Sequence, residues 1–246
     1  MIVPYKEQED GKKKQVARMF DNIAPKYDFL NHFLSMGIDH LWRRTVLNLL
    51  KKELAKTKLT KPNLLDVATG TGDLAITLRK LDPEQITGVD ISVEMLRVGE
   101  QKIKKRNLQH LISLSTGDSE NLQFPDGTFH IVTAAFGVRN FENLEKGISE
   151  MYRVLATNGT LCILEFSKPT AFPVKQVYNF YFRNILPLWG KLISKDNSAY
   201  TYLPDSVNAF PDGLAFQAIL QNCGFKNIVQ KRLSFGIASI YIGKKQ

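Results

Sequence analysis

Residues 64–90, LLDVATGTGDLAITLRKLDPEQITGVD, constrain this chain more than any other stretch. An apolar run reaches Asp66, a turn carries Gly70 and Gly72, apolar residues recur at helical spacing over 74–81, and a second apolar run ends in Asp90. The order is strand, turn, helix, strand, a single βαβ unit. Glycines at the turn let the backbone bend sharply and a ligand come close. The N–H groups of the helix that follows open into the same space.

Two ligand classes use such a unit. A dinucleotide fingerprint reads G-x-G-x-x-G, but here Ala75 stands where the third glycine belongs. Asp66 lies before the glycines, where a carboxylate repels a pyrophosphate yet accepts from an ammonium group or its bound water. Asp90, at the end of the second run, can take both hydroxyls of a ribose. The combination fits S-adenosyl-L-methionine better than NAD.

At 246 residues, 43% hydrophobic and 23% charged, the chain suits one large globular domain or one domain with a substantial embellishment. The two cysteines, Cys162 and Cys223, make neither a disulfide framework nor a structural zinc site, and no metal is expected. Neither a membrane-length apolar run nor a signal peptide is read, so the expectation is a cytoplasmic protein. The net charge of +9 is spread over short groups, Lys12 to Lys14, Arg43 with Arg44, Lys51 with Lys52, and Lys102 to Arg106. None forms a nucleic-acid motif, and each reads as a solvated face.

Taken in order, residues 15–50 are helical, with Pro25 stopping a first helix and Gly37 interrupting the next. Between them lie Tyr27, Asp28, Asn31, His32 and Phe33, read either as a core-packed flap or as a lid over the ligand. Residues 1–61 are taken as this helical unit and 62–246 as the ligand-binding domain. Ser92 caps a helix running to about Lys105. A third strand over 111–114 leads to Asp118 and Ser119, on the same sheet edge as Asp66 and Asp90. A fourth strand covers 129–136. A helix over 144–155, a turn at Asn158 and Gly159, and a strand over 161–166 follow. Residues 171–205 are dense in aromatics, with Arg183, Trp189, Lys191 and Lys195 among them. They read as core-covering helices or as an apolar groove for a lipid-like substrate. A helix over 214–223 and a tight antiparallel pair, 228–233 with 237–243, close a mostly parallel α/β sheet.

FDNIAPKYDFLNHFLSMGIDHLWRR, LDVATGTGDLA, GVDISVEML, FGVRNF, and RVL followed by LEFSKP together resemble the UbiE/MenG/Coq5 family of quinone-biosynthesis C-methyltransferases. The resemblance covers nearly the whole chain. It implies the class I methyltransferase fold: a seven-stranded, mostly parallel sheet with an antiparallel last strand, a helical N-terminal lid and an insertion after strand five. Many class I enzymes carry glycine where this chain has Ala68. The resemblance further implies that Gly70, Thr71 and Gly72 meet the methionine part of the cofactor, that Asp90 holds the ribose, and that Asp118 with Ser119 holds the adenine. The acceptor it implies is a ring carbon of a polyprenylated quinol, which needs stabilisation of a phenolate-like charge. Arg139 is the candidate for that role, with Tyr27 and His32 as orienters or proton carriers.

A prenyl tail would give the aromatic region and the positive balance a common use, transient docking on an anionic membrane surface. Self-association as a homodimer stays open, and no nucleic-acid partner is expected. Demethylmenaquinol is the favoured acceptor. A ubiquinone-precursor benzoquinol, another small-molecule or RNA substrate, and a binding module without turnover are the alternatives.

Overall fold

The computed structural model describes residues 2–5, 7–35, 37–180, 184 and 198–246, leaving aside the side chains of 30–34, 179 and 198–200. Seven strands form one sheet: Asn63–Val67 (β1), Gln85–Asp90 (β2), Ile112–Thr116 (β3), Phe129–Ala135 (β4), Leu155–Phe166 (β5), Lys226–Leu233 (β6) and Ala238–Lys244 (β7). Their spatial order is β3-β2-β1-β4-β5-β7-β6. The pairs from β3 through β5 are parallel, and β7 is antiparallel to both β5 and β6. Every parallel strand therefore delivers its C-terminal end to one edge of the sheet, where β1, β2 and β3 end near Asp66, Asp90 and Asp118.

Both faces are covered, so the central strands read as unbroken apolar runs. Alternation along β1 sends Leu64 to one core cluster and Leu65 and Val67 to the other. One face is packed by Ile38–Leu54 (α2), Asp73–Leu78 (α3) and Ile103 of Val93–Lys105 (α4); the other by Leu144–Val154 (α5) and Leu214–Asn222 (α8). Two further helices, Val174–Phe180 (α6) and Ser198–Ala209 (α7), lie between β5 and α8. Arg183, Trp189, Lys191 and Lys195, expected among the aromatics of that region, lie outside the described residues.

Three expectations are corrected. Pro25 does not stop the first helix: Lys12–Leu34 (α1) runs through it, with the proline exposed. A proline inside a helix costs roughly 3 kcal/mol. Here Val16, Met19 and Ile23, on the N-terminal side of it, are buried against Tyr202 of α7. At roughly 1.5–3 kcal/mol per buried side chain, that docking outweighs the break. Second, residues 1–61 are not one lid. Trp42, Val46, Leu47 and Leu50 of α2 belong to the main core cluster, so α2 packs as part of the domain and reaches the strand ends through Arg43, whereas α1 lies over them. Third, Asn158 and Gly159 do not precede the fifth strand but lie within it. Leu155 pairs with Phe129 and Thr160 with Ile131, so the turn residues form an irregularity inside β5. Gly37, by contrast, does divide the helices, standing before α2 at φ 74°.

Candidate active site

Between β1 and α3 the chain takes three left-handed residues in five positions: Ala68 at φ 53°, Gly70 at φ 55° and Gly72 at φ 76°. Gly70 and Gly72 do this without penalty, whereas Ala68 carries a Cβ. Its space comes from Gly137, where an added Cβ would stand 2.5 Å from the Ala68 Cβ. The alanine in the first motif and the glycine of FGVRNF are thus two halves of one close approach.

The turn is pinned to the end of β2. Gly70 N donates to Asp90 Oδ2 at 2.7 Å, and Ser92 N donates to Asp90 Oδ1 at 2.9 Å. Ser92 caps α4, accepting from Met95 N. Burial raises the Asp90 carboxyl above the ordinary carboxylate range, and the amides of Ser92, Gly70 and Ile91 oppose that rise.

Above this frame lies an open cavity of about 700 Å³, lined among others by Tyr27, Gly70, Asp90, Asp118, Ser119 and Phe136. A smaller one of about 390 Å³ lies beside it, with Arg43, Asp66, Thr71 and Asp73 in its wall. Tyr27, Ala68, Gly70, Ala135 and Phe136 line both. The two spaces meet across the glycine turn.

Asp66 is 1% exposed and pairs across the sheet with Thr133. Its oxygens accept from the hydroxyls of Thr133 and Thr69, each at 2.7 Å. Desolvation pushes its pKa up to about 6 against those two hydrogen bonds. Asp118 accepts from Lys13 Nζ at 2.7 Å and from Glu120 N at 2.9 Å. Thr71 donates to Asp28 Oδ1 at 2.6 Å and accepts from Lys102 at 3.0 Å.

The acceptor-side candidates separate. Tyr27 is half-buried, and desolvation pushes its hydroxyl up to about 12, so it stays protonated near neutral pH and acts as a donor. The backbone of His32 lies in α1, and its side chain is outside the described residues. Arg139 lines neither cavity. It pairs with the fully buried Glu165 at 2.8 Å, donates to Phe136 O, and lies 5.3 Å over the Phe166 ring. Its Nε, together with Asn140 Oδ1 and the Tyr202 hydroxyl, is buried with no hydrogen-bond partner among the described residues. A buried polar atom without a partner costs on the order of 1–3 kcal/mol, which a ligand supplying the missing partner recovers.

Several groups here escaped the sequence reading. Lys12 and Lys13, Arg43, and Lys102 stood in groups read as solvated faces, yet all four turn inward. Lys12 Nζ donates to Phe141 O at 2.7 Å. Arg43 is 4% exposed between Asp39 and Asp73. Lys102 binds Asp28, Thr71 and Asp73. Asp21 of α1 accepts from Ser92 Oγ at 2.6 Å and Glu94 N at 3.1 Å. One sequence signal was available: Lys13, Asp21 and Asp28 recur about every two helical turns, which places them on one face of α1. Among the described residues, no group of three or more His, Cys, Asp or Glu side chains is arranged to hold a metal ion. No helix among them is long and apolar enough to cross a membrane.

The model of the ubiE/COQ5 methyltransferase family matches residues 8–245. A protein of Bacteroides fragilis named demethylmenaquinone methyltransferase is 49% identical over 246 residues, covering 99% of this chain and 97% of the relative. One of Geotalea daltonii, named ubiquinone/menaquinone biosynthesis C-methyltransferase UbiE, is 44% identical over 245 residues, covering 98% and 100%. A solved SAM-dependent methyltransferase from Aquifex aeolicus superposes with a TM-score of 0.57 at 18% identity, covering 81% of this chain and 88% of that one. At that identity the likeness concerns the fold.

Proposed function

The chain belongs to the ubiE/COQ5 methyltransferase family, and from that premise we propose that it transfers a methyl group from S-adenosylmethionine to a ring carbon of a polyprenylated quinol, converting demethylmenaquinol to menaquinol. The observation that carries this reading is the run of Asp90, Asp118 and Ser119 along one cavity that joins a second, holding Asp66, at the glycine turn.

The residues present fit the cofactor. Asp90 accepts two backbone amides and keeps lone pairs for a ribose diol, since each carboxylate oxygen can accept twice. Asp118 and Ser119 line the same cavity as Asp90 and would offer an adenine edge an acceptor and a backbone donor, and Lys13 leaves Asp118 accepting capacity in the same way. When bound, the cofactor would supply an electrophilic methyl group on a sulfonium, its sulfur leaving as the neutral thioether, and the ring-carbon proton that the methyl replaces would pass to a base of the site or to water.

The protein's part is to orient the quinol and hold its developing charge. The unpartnered Nε–H of Arg139 is a donor for a phenolate-like oxygen, and Asn140 Oδ1 is an acceptor for a quinol hydroxyl. Phe136 and Phe166, with ring centroids 4.5 Å apart, form an apolar aromatic pair beside them. Tyr27 supplies a neutral donor, and His32, elsewhere on α1, remains a candidate proton carrier.

The test supplies demethylated naphthoquinol and demethylated benzoquinol side by side with S-adenosylmethionine and follows methyl transfer. Methylated naphthoquinol is the expected product. Transfer to neither acceptor overturns the reading, and transfer to the benzoquinol alone changes the substrate. We propose further that α6 meets an anionic membrane surface. Phe172 just before it, with Val177 and Phe180 within it, is exposed, and the chain carries +9. Binding to anionic vesicles should weaken as salt rises, and salt-insensitive or absent binding removes this docking.

A further inference from the structure

We infer that Arg43 holds the carboxylate of the cofactor's amino-acid tail in the smaller cavity; this rests on the S-adenosylmethionine reading above. A zwitterionic tail needs one cationic and one anionic partner. Arg43 is the positively charged side chain in that cavity's wall, opposite the carboxyl groups of Asp66 and Asp73.

The alternative cation close by is already used up. Lys102 has three ammonium hydrogens and three acceptors, Asp28 Oδ2 at 2.8 Å, Thr71 Oγ1 at 3.0 Å and Asp73 Oδ1. Arg43 differs in number and in shape. Its Nη2 faces Asp39 Oδ2 and lies 3.5 Å from Asp73 Oδ2. The N–H groups of Nε and Nη1 make no hydrogen bond to a described residue. Asp39 takes one of the two Nη2 hydrogens, so the other Nη2–H and the N–H beside it, on Nη1 or Nε, form one edge that offers a carboxylate two parallel donors.

The second-helix position of Arg43 explains how it gets there. It sits one residue after Trp42, whose ring packs against Phe136 at 5.8 Å between centroids, and Phe136 lines both cavities. Asp39, one turn earlier on α2 and 1% exposed, fixes the guanidinium from behind. The arginine is thus set by its own helix and presented to the glycine turn, with Thr71 and Gly70 in the same wall.

The test is calorimetric and needs no turnover. The wild-type protein is titrated with S-adenosylmethionine and with its decarboxylated analogue, and both titrations are repeated with Arg43→Gln and Arg43→Lys. Wild type should prefer the intact cofactor on the order of 30-fold, as expected for loss of a charge-assisted bidentate pair. Arg43→Gln should lose that preference while binding the decarboxylated analogue about as well as wild type does, within roughly twofold. Arg43→Lys keeps a charge for Asp39 and should lose part of the preference; it serves if the glutamine variant fails to fold. Equal wild-type affinity for the two ligands overturns the assignment, as does an equal loss for both ligands in the variants. Absence of any binding of S-adenosylmethionine by wild type overturns instead the cofactor reading beneath it.

Discussion

The rim of the sheet and the first helix meet at the same cavity but are built on different principles. At the rim, Asp66, Asp90 and Gly70 lie within one short stretch, the two carboxylates are buried, and each polar group is satisfied by neighbours the strands hold in register. On α1, Lys13, Asp21 and Asp28 reach across long sequence separations to the loop after β3, the start of α4 and the glycine turn. The side chains of the ion pairs Lys13–Asp118 and Asp28–Lys102 are 18–33% exposed. Rigid positioning comes from the first region, and the second can bind or release without unfolding anything. Losing a partner should therefore be expensive at the rim and cheap on the helix.

The largest effect is expected at Arg139, just past β4. Arg139→Ala leaves Glu165 without its guanidinium in a position with no solvent exposure. Removing one member of a buried pair costs about 3–5 kcal/mol. Urea denaturation should show that loss, and adding Glu165→Gln should recover a substantial part of it. A loss under about 1 kcal/mol would break the distinction, because the rim would then tolerate an orphaned charge as a surface does. Turnover has to be read on the fraction that stays folded. There it should fall on the order of a hundredfold with cofactor affinity changed only a few-fold, if Nε stabilises the acceptor oxygen.

The same contrast explains what the sequence discloses. The βαβ unit, the cap at Ser92, the antiparallel closing pair and the three carboxylates at one sheet edge follow from local pattern and turn chemistry, and all are present. Pro25 misleads because propensity is a local quantity, whereas α1 persists through contacts with α4 and α7. Arg43, Lys102 and Lys13 mislead for a related reason. A cation beside other cations looks solvated until its partners arrive from elsewhere in the chain, and those partners, Asp39 apart, are 29 or more residues away. Ala68 makes sense only beside Gly137, which the sheet brings next to it.

A smaller effect, opposite in sign, is expected at Asp66. Its carboxyl rises on folding from near 4 to about 6, so the folded state holds the proton more tightly. The stability it contributes is complete below pH 4 and is lost as pH rises through 6, a deficit of about 3 kcal/mol at pH 7. Asp66→Asn should therefore be more stable than wild type at pH 7, on the order of 2 kcal/mol, and show no advantage at pH 4. Cofactor affinity should move the other way. The positively charged ligand favours the ionised carboxylate, so wild-type affinity should weaken below pH 6 and the asparagine variant should lack that dependence. A variant no more stable at neutral pH would mean that the carboxylate is solvated after all.

The smallest effects belong to α1, and they separate stability from ligand exchange. Lys13→Met, Asp21→Ala and Asp28→Asn each weaken or remove the contacts that tie the helix to a different part of the cavity rim. Partly exposed pairs contribute about 1 kcal/mol or less, so none of the three should move the urea midpoint far. Each contact nonetheless ties the helix over the mouth of the cavity, beside the Val16–Met19–Ile23 packing and the hydrogen bond from Lys12 to Phe141 O. Stopped-flow displacement of bound cofactor should show faster release in every variant, several-fold at most for one contact of this size. Asp28→Asn should lead, because Asp28 engages both Thr71 and Lys102, and Lys13→Met should trail and lose its effect in high salt. Unchanged release in all three, with cofactor affinity also unchanged, would mean that α1 stays in place while the ligand comes and goes by another side of the cavity.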